Sequence, residues 1–139
     1  MKAKFARTGK AVLFVAGTLL VVVGVFIIFA PAGFYAANSI EVGTGASLMN
    51  ELKAPAGLLL AAGLFMLGAV FVRRHADTAL SLAALIYLSY AVSRAASIAL
   101  DGVPAPGLVQ AAVLEGIIGM ACVAVLMLRR SSQVGERHV

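Results

Sequence analysis

The sequence predicts an all-α integral membrane protein, a four-helix bundle with both termini in the cytoplasm. Of its 139 residues, 62% are hydrophobic and 12% are charged, whereas ordinary globular domains carry roughly 25% charged residues. The apolar residues form four stretches, each close to the roughly twenty residues that cross a hydrocarbon core about 30 Å thick. Basic residues flank these stretches mainly on one side. A water-facing particle of this composition would lack polar surface, so the surrounding solvent is lipid.

The four predicted spans cover about residues 11–30, 54–72, 78–100 and 108–128, and the length fits a single domain over residues 1–139. A basic leader precedes the first span, as in a signal peptide. The apolar run is longer than the roughly 7–15 residues of a signal peptide, however, so we expect it to remain as a membrane anchor.

The first span carries Gly17 and Gly24 on one face, seven residues apart. Small residues at this spacing allow a neighbouring helix to approach closely. Pro31 and Gly33 predict the end of the helix. The following residues 34–53 have the composition of an external loop, with room for a short interfacial helix.

The second span is predicted to open with Pro55 in its first turn, where proline is tolerated. Gly57 and Ala61 form a small-xxx-small pair that indicates helix packing. The residues Arg73-Arg74-His75 predict a short cytoplasmic turn, in which we expect His75 to be solvated rather than bound to a metal ion.

The short connection at residues 101–107 contains glycine and proline, which predicts a compact external turn. A connection of this length makes the third and fourth spans antiparallel neighbours, and we expect spans two, three and four to be in sequential contact. The polar residues 131–139 are predicted to form a short mobile tail. The single cysteine, Cys122, lies in an apolar run and is expected to fill the core.

The net charge of +5 is a topology signal. Basic residues concentrate in cytoplasmic loops of membrane proteins, and this bias places both termini in the cytoplasm. No aromatic residues are interleaved with the basic ones to stack on bases, which argues against a nucleic-acid partner. Only Lys53 lies on the opposite side, and Arg94 lies within a span. The basic residues on the predicted cytoplasmic side are Lys2, Lys4, Arg7, Lys10, Arg73, Arg74, Arg129, Arg130 and Arg137.

Polar side chains recur at helical spacing along the third span, so they share one face. This face consists of Tyr87, Tyr90, Arg94, Ser97 and Asp101. An arginine within a span needs a partner or a wet cavity, and Glu115 on the fourth span is the candidate. Each of the two residues lies seven positions from the outer end of its span, which is about 10 Å at 1.5 Å per residue. We therefore predict that Arg94 faces Glu115 in a bidentate pair.

Other charged residues are expected near this pair. Asp101, two turns above Arg94, could share the guanidinium from the interface. Glu51 and Lys53 enter the second span at nearly the same level. The predicted binding cluster consists of Glu51, Tyr90, Arg94, Ser97, Asp101 and Glu115.

Three interpretations of this cluster stay open. The charge pair serves only helix docking, as buried ion pairs often do; or the cluster lines an outward-opening pocket for a small polar or amphiphilic molecule, such as a lipid headgroup; or it belongs to an ion path. The last is disfavoured because a conduit needs polar groups through the full thickness of the membrane. Under the docking interpretation, the protein is an accessory or structural subunit whose Gly/Ala-rich faces dock on another membrane protein.

The sequence carries no Gly-rich phosphate loop, no His/Cys metal cluster and no Ser-His-Asp set. It therefore indicates neither a metal nor a cofactor, and it leaves enzymatic activity undecided.

Three groups of residues carry a family resemblance: Glu51-Leu52-Lys53-Ala54 with Gly57, then Arg94, Ser97, Asp101-Gly102 and Pro104, and finally Glu115. With these residues the chain resembles a family of small four-helix bacterial membrane proteins known only as a domain of unknown function. More loosely, it is similar to DoxX-like membrane proteins in its four-span plan. At the start of the second span, Lys53 and Pro55 stand where arginine and a less rigid residue are expected in the family. The resemblance implies a multi-pass protein of the bacterial inner (plasma) membrane with a polar cluster near the outer leaflet, and it implies no reaction.

Overall fold

The computed structural model describes residues 2–134, with side chains for residues 7–131, and this part of the chain is helical without strands. Four of its helices are long and apolar enough to cross a membrane, which confirms the predicted all-α bundle. Four crossings bring both ends of the described chain to one side of the bundle, and the opposite side is called the outer end below. The helices are α1 (Lys2–Phe29), α2 (Pro31–Ala36), α3 (Ala46–Phe71), α4 (Ala76–Asp101) and α5 (Pro106–Val134), with a 3-10 turn at Arg73–His75 before α4.

The placement of the termini in the cytoplasm stays a prediction. Part of the charge pattern behind it lies outside the described residues, namely Arg137 and the side chains of Lys2 and Lys4. The mobile tail was predicted to begin at residue 131, but residues 131–134 are helical and continue α5. Residues 135–139 also lie outside the described residues.

A short helix does follow the first span, but it starts at Pro31, before the predicted loop begins. Ala30 leaves the helical conformation, with φ −138° and ψ 52°, and Pro31 then begins α2. Beyond the end of α2, Ser39 adopts a left-handed φ of 60°. The Ile40 N–H donates to the Tyr35 carbonyl at 3.2 Å, which together with Ser39 forms a Schellman-type helix end. This motif turns the chain back over the outer end of the bundle.

The prediction that Pro55 lies in the first turn of the second span is wrong. The helix α3 begins at Ala46, eight residues before the predicted span, so Pro55 lies inside it. Residues 46–53 are rich in alanine, leucine, methionine, glutamate and lysine, which favour helices. A proline within the helix removes one N–H···O bond, here the bond to the Glu51 carbonyl, and membrane helices tolerate such a loss.

The helices α1 and α3 approach each other closely at glycines. A Cβ atom built on Gly17 would lie 2.9 Å from the Gly63 carbonyl oxygen, and one on Gly24 would lie 2.9 Å from the Ala56 carbonyl oxygen. The predicted close-approach face of Gly17 and Gly24 is therefore confirmed. Gly57, in contrast, is exposed and has no atom within 4 Å of such a Cβ, so it does not pack within the described chain as predicted.

The bundle consists of two tightly packed pairs, α1 with α3 and α4 with α5, which meet less extensively. The predicted contacts of α3 with α4 and of α4 with α5 are both present. The buried residues of α4 all lie between Ala76 and Tyr87, and the buried hydrophobic residues of α5 lie between Ile118 and Leu126. The shared core therefore sits toward the termini, and the outer half of α4 and the first twelve residues of α5 contribute no buried residue to it.

Two polar contacts join elements in the inner part of the bundle. The Tyr87 hydroxyl donates to the Ala16 carbonyl at 2.7 Å, which links α4 to α1. At the terminal end, Arg129 Nε lies 2.7 Å from Asp77 Oδ1 and ties the last turns of α5 to the first turn of α4. Sequence analysis did not anticipate this second pair. His75, two residues before Asp77, accepts a hydrogen bond from Arg74 Nε at 2.9 Å.

Candidate functional site

A cavity of about 380 Å³ lies between the two helix pairs in the outer half of the bundle. This volume falls within the roughly 300–1,000 Å³ typical of small-molecule sites. All four spans contribute to its wall, and most of the contributing side chains are apolar. The apolar side chains from the spans are Leu19, Leu20, Val23, Ile27, Leu52, Pro55, Ala56, Leu59, Leu108, Ala111 and Leu114.

The outer end of the cavity is covered by α2 and the residues that follow it. Phe34, Tyr35, Asn38 and Ile40 line the cavity from this side. The rings of Phe34 and Tyr35 meet edge to face with centroids 5.4 Å apart. Asn38 lies against the start of α5, where a Cβ atom on Gly107 would come within 2.5 Å of its Oδ1. The segment after the first span is therefore part of the site, although sequence analysis treated it as a loop.

Arg94 and Glu115 form the predicted pair on the wall of this cavity. The predicted bidentate geometry is absent, because a single N–H of Arg94 contacts both carboxylate oxygens. Arg94 Nε donates to Glu115 Oε2 at 2.9 Å and to Oε1 at 3.2 Å. The side chains are 31% and 16% exposed, respectively. A guanidinium has five N–H donors, yet only the Nε–H has a hydrogen-bond partner among the described residues. The four donors on Nη1 and Nη2 therefore remain available beside the cavity.

Further polar groups of the wall are also unpartnered in the described part of the chain. The hydroxyls of Tyr35 and Tyr90 and the side-chain amide of Asn38 have no hydrogen bond there. The Tyr87 hydroxyl, by contrast, is occupied by the Ala16 carbonyl. Tyr35 and Asn38 are half-buried and Tyr90 is exposed, and their free donors suit a ligand that carries acceptor atoms.

Three of the six predicted site residues line the cavity: Tyr90, Arg94 and Glu115. Ser97 and Asp101 do not. The Ser97 hydroxyl donates to Asp101 Oδ2 at 3.0 Å, and both residues are exposed. The expectation that Asp101 shares the guanidinium is not met, since no ion pair joins it to Arg94 in the described chain. At 3.6 residues per turn, Ser97 is rotated about 60° away from Arg94, and Asp101 is the last residue of the helix.

Glu51 also lies outside the cavity. It is exposed, whereas its neighbour Leu52 lines the wall together with Pro55 and Leu59. The spacing of these three residues defines the inward face of α3. One position along a helix rotates a side chain by about 100°, so Glu51 points away from the site.

The described residues contain no cluster of three or more His, Cys, Asp or Glu side chains that could hold a metal ion. The site therefore offers a guanidinium, hydroxyls and an apolar wall. Such an arrangement can bind and orient a molecule that has both a polar and an apolar part.

A family model described as a domain of unknown function, DUF4345, matches residues 9–126. This match spans most of the sequence and includes the whole wall of the cavity. None of the curated proteins and none of the solved structures matches the chain significantly. The looser likeness to DoxX-like proteins is not shown by these comparisons. The chain belongs to the DUF4345 family.

Proposed function

For this member of the DUF4345 family, we propose that the protein binds a small amphiphilic molecule in the outer cavity. The polar group of the ligand contacts the Nη groups of Arg94, and its apolar part lies among the side chains of α1, α3 and α5. The single observation that carries the proposal is a guanidinium with four available donors on the wall of a mostly apolar cavity.

The unpaired Nη donors of Arg94 favour a ligand-binding role over a purely structural one for the Arg94–Glu115 pair. A pair that only docks helices gains most when all its donors and acceptors are satisfied. Here the half-buried Arg94 side chain keeps four donors without a partner in the described chain, and a ligand acceptor that pairs with them would contribute binding free energy. Close packing is also the rule in protein interiors, and here the two helix pairs leave a cavity beside the one arginine that lies within a predicted span.

The size of the cavity limits the ligand. If each non-hydrogen atom occupies roughly the 30 Å³ that a water molecule takes up in the liquid, the cavity encloses on the order of a dozen atoms of its ligand. The rest of a longer chain then extends from the cavity into the lipid. A short-chain amphiphile, or the headgroup region of a membrane lipid, matches this volume. The surrounding bilayer is a ready source of such molecules.

The proposal includes the location and orientation of the chain. The chain is a single four-span domain in the bacterial inner membrane with the cavity near the outer leaflet, as the family resemblance implies. The basic residues around its termini favour cytoplasmic termini.

A second function, that of an accessory subunit of a larger membrane complex, is favoured by one feature of α3. Gly57 and Gly68 are exposed, and both have open space around them. Small residues on a membrane helix allow another helix to approach closely, so this face could receive a partner protein. Binding in the cavity and docking on this face are compatible.

The test of the main proposal fills the cavity while keeping both members of the charge pair. Ala111 lines the cavity, and the substitution Ala111→Phe places a ring in it. The matched control is Val113→Phe, two residues away, because Val113 is 59% exposed on the outside of the same helix. The wild type and both variants are purified in mild detergent, exposed to a total extract of membrane lipids and studied by native mass spectrometry.

We expect a bound small molecule on the wild type and on the Val113→Phe variant, and its loss from Ala111→Phe. A wild type that carries no ligand, or an Ala111→Phe variant that retains it, would refute the proposed cavity. A protein that co-purifies with a stoichiometric membrane partner would support the accessory role.

A further inference from the structure

We infer that the cavity selects a neutral amphiphile whose polar group carries acceptor oxygens, such as an ester, an alcohol or a ketone, over a charged one. This inference rests on the proposed function and specifies the class of its ligand. It follows from the charges and donors on the wall.

The charge on the wall is already balanced. Arg94 and Glu115 are the only charged side chains among the described residues that line the cavity, and they contact each other at 2.9 Å. The site therefore has a guanidinium with free donors but a formal net charge of zero.

An anion gains little from such a site. When it approaches the free Nη groups of Arg94, it also approaches the Glu115 carboxylate, so that attraction and repulsion largely cancel. It nevertheless loses its water shell, which is costly in an apolar environment. A neutral oxygen loses much less hydration and still accepts a charge-assisted hydrogen bond from Arg94.

A cation is disfavoured for the complementary reason. The carboxylate of Glu115 is already engaged by Arg94 Nε through both of its oxygens, and the guanidinium repels a second positive charge. The remaining polar groups add donors, namely the hydroxyls of Tyr35 and Tyr90 and the amide of Asn38. A wall rich in donors matches a ligand rich in acceptors.

The experiment compares three amphiphiles that share a ten-carbon chain length and differ in charge: monodecanoin (neutral), decanesulfonate (permanently negative) and decyltrimethylammonium (permanently positive). Each is titrated against the wild-type protein in nanodiscs of uncharged lipid, and binding is measured by calorimetry. The Ala111→Phe variant measures the signal that does not come from the cavity. We expect monodecanoin to bind about tenfold or more tightly than either charged compound.

A second variant tests the role of Glu115 directly. In Glu115→Gln the positive charge of Arg94 is unbalanced, so decanesulfonate should gain affinity relative to monodecanoin. The wild-type comparison decides the question even where this variant does not fold.

A wild type that binds decanesulfonate or decyltrimethylammonium as tightly as monodecanoin, in a manner sensitive to Ala111→Phe, would overturn the inferred ligand class and leave the binding cavity in place. A wild type that binds none of the three compounds would count against the cavity and against the inference with it.

Discussion

Removing the charge of Glu115 should destabilise the bundle. Glutamine in its place keeps the shape of the side chain and one acceptor for Arg94 Nε, but it leaves the guanidinium without a counter-charge. An unpaired charge at the centre of a membrane helix costs about 2.5–3.5 kcal/mol on insertion scales, and breaking a fully buried pair costs about 3–5 kcal/mol. Here the side chains are 31% and 16% exposed, and Arg94 lies away from the middle of its helix.

We therefore expect the free energy of unfolding to fall by about 2 kcal/mol, which is a factor of roughly 30 in the folding equilibrium. The assay is reversible unfolding in bicelles, followed by circular dichroism. The control is Glu51→Gln, which removes the same charge from an exposed position on α3 that is outside the cavity. It should change stability by less than about 0.5 kcal/mol.

The double variant Arg94→Met/Glu115→Gln removes both charges and should recover part of the loss, because a neutral site has no unbalanced charge to solvate. A Glu115→Gln variant that unfolds like the wild type would refute the pairing as a source of stability. The coupling is tested by the cost of Arg94→Met in two backgrounds. If Arg94→Met lowers the free energy of unfolding of Glu115→Gln by as much as it lowers that of the wild type, the two residues are not coupled.

Two further substitutions test the packing of the bundle. Gly63→Ala should destabilise the bundle by about 1–3 kcal/mol because its Cβ would lie 2.7 Å from the Gly17 carbonyl oxygen. The control Gly57→Ala, with open space around it, should be neutral or stabilise by up to about 1 kcal/mol through helix propensity. Equal effects of the two substitutions in the same unfolding assay would contradict the close approach of α1 and α3. Tyr87→Phe should cost about 1 kcal/mol because it removes the 2.7 Å hydrogen bond to the backbone of α1, and an unchanged midpoint would show that this bond adds no stability.

Much of the fold can be predicted from the sequence because the bilayer imposes simple rules. Four long apolar stretches give four helices, and counting residues from the outer ends puts Arg94 and Glu115 at one depth. The glycine face of the first span likewise follows from helical periodicity. The start of α3 does not follow, because the residues around Glu51 are polar enough to resemble a loop, although their helix propensity extends the helix outward beyond Pro55.

The site is predictable only in part. The charge pair depends on depth and partner chemistry, which a sequence contains. The cavity depends on how far the two helix pairs separate toward the outer end, and this is a property of tertiary packing. For the same reason, the contribution of Tyr35 and Asn38 to the wall was not foreseen. The sequence places Ser97 and Asp101 in the predicted binding cluster because helical spacing alone does not determine how much of the polar face of α4 borders the cavity.

The most direct test of the central claim is an experimental structure of the wild-type protein in nanodiscs of native lipid, without added ligand. We predict elongated density between the two helix pairs in the outer half, with its polar end within hydrogen-bond distance of Arg94 Nη1 or Nη2. A bundle whose outer half is closed by its own side chains, with every Arg94 donor bonded to protein, would contradict the claim.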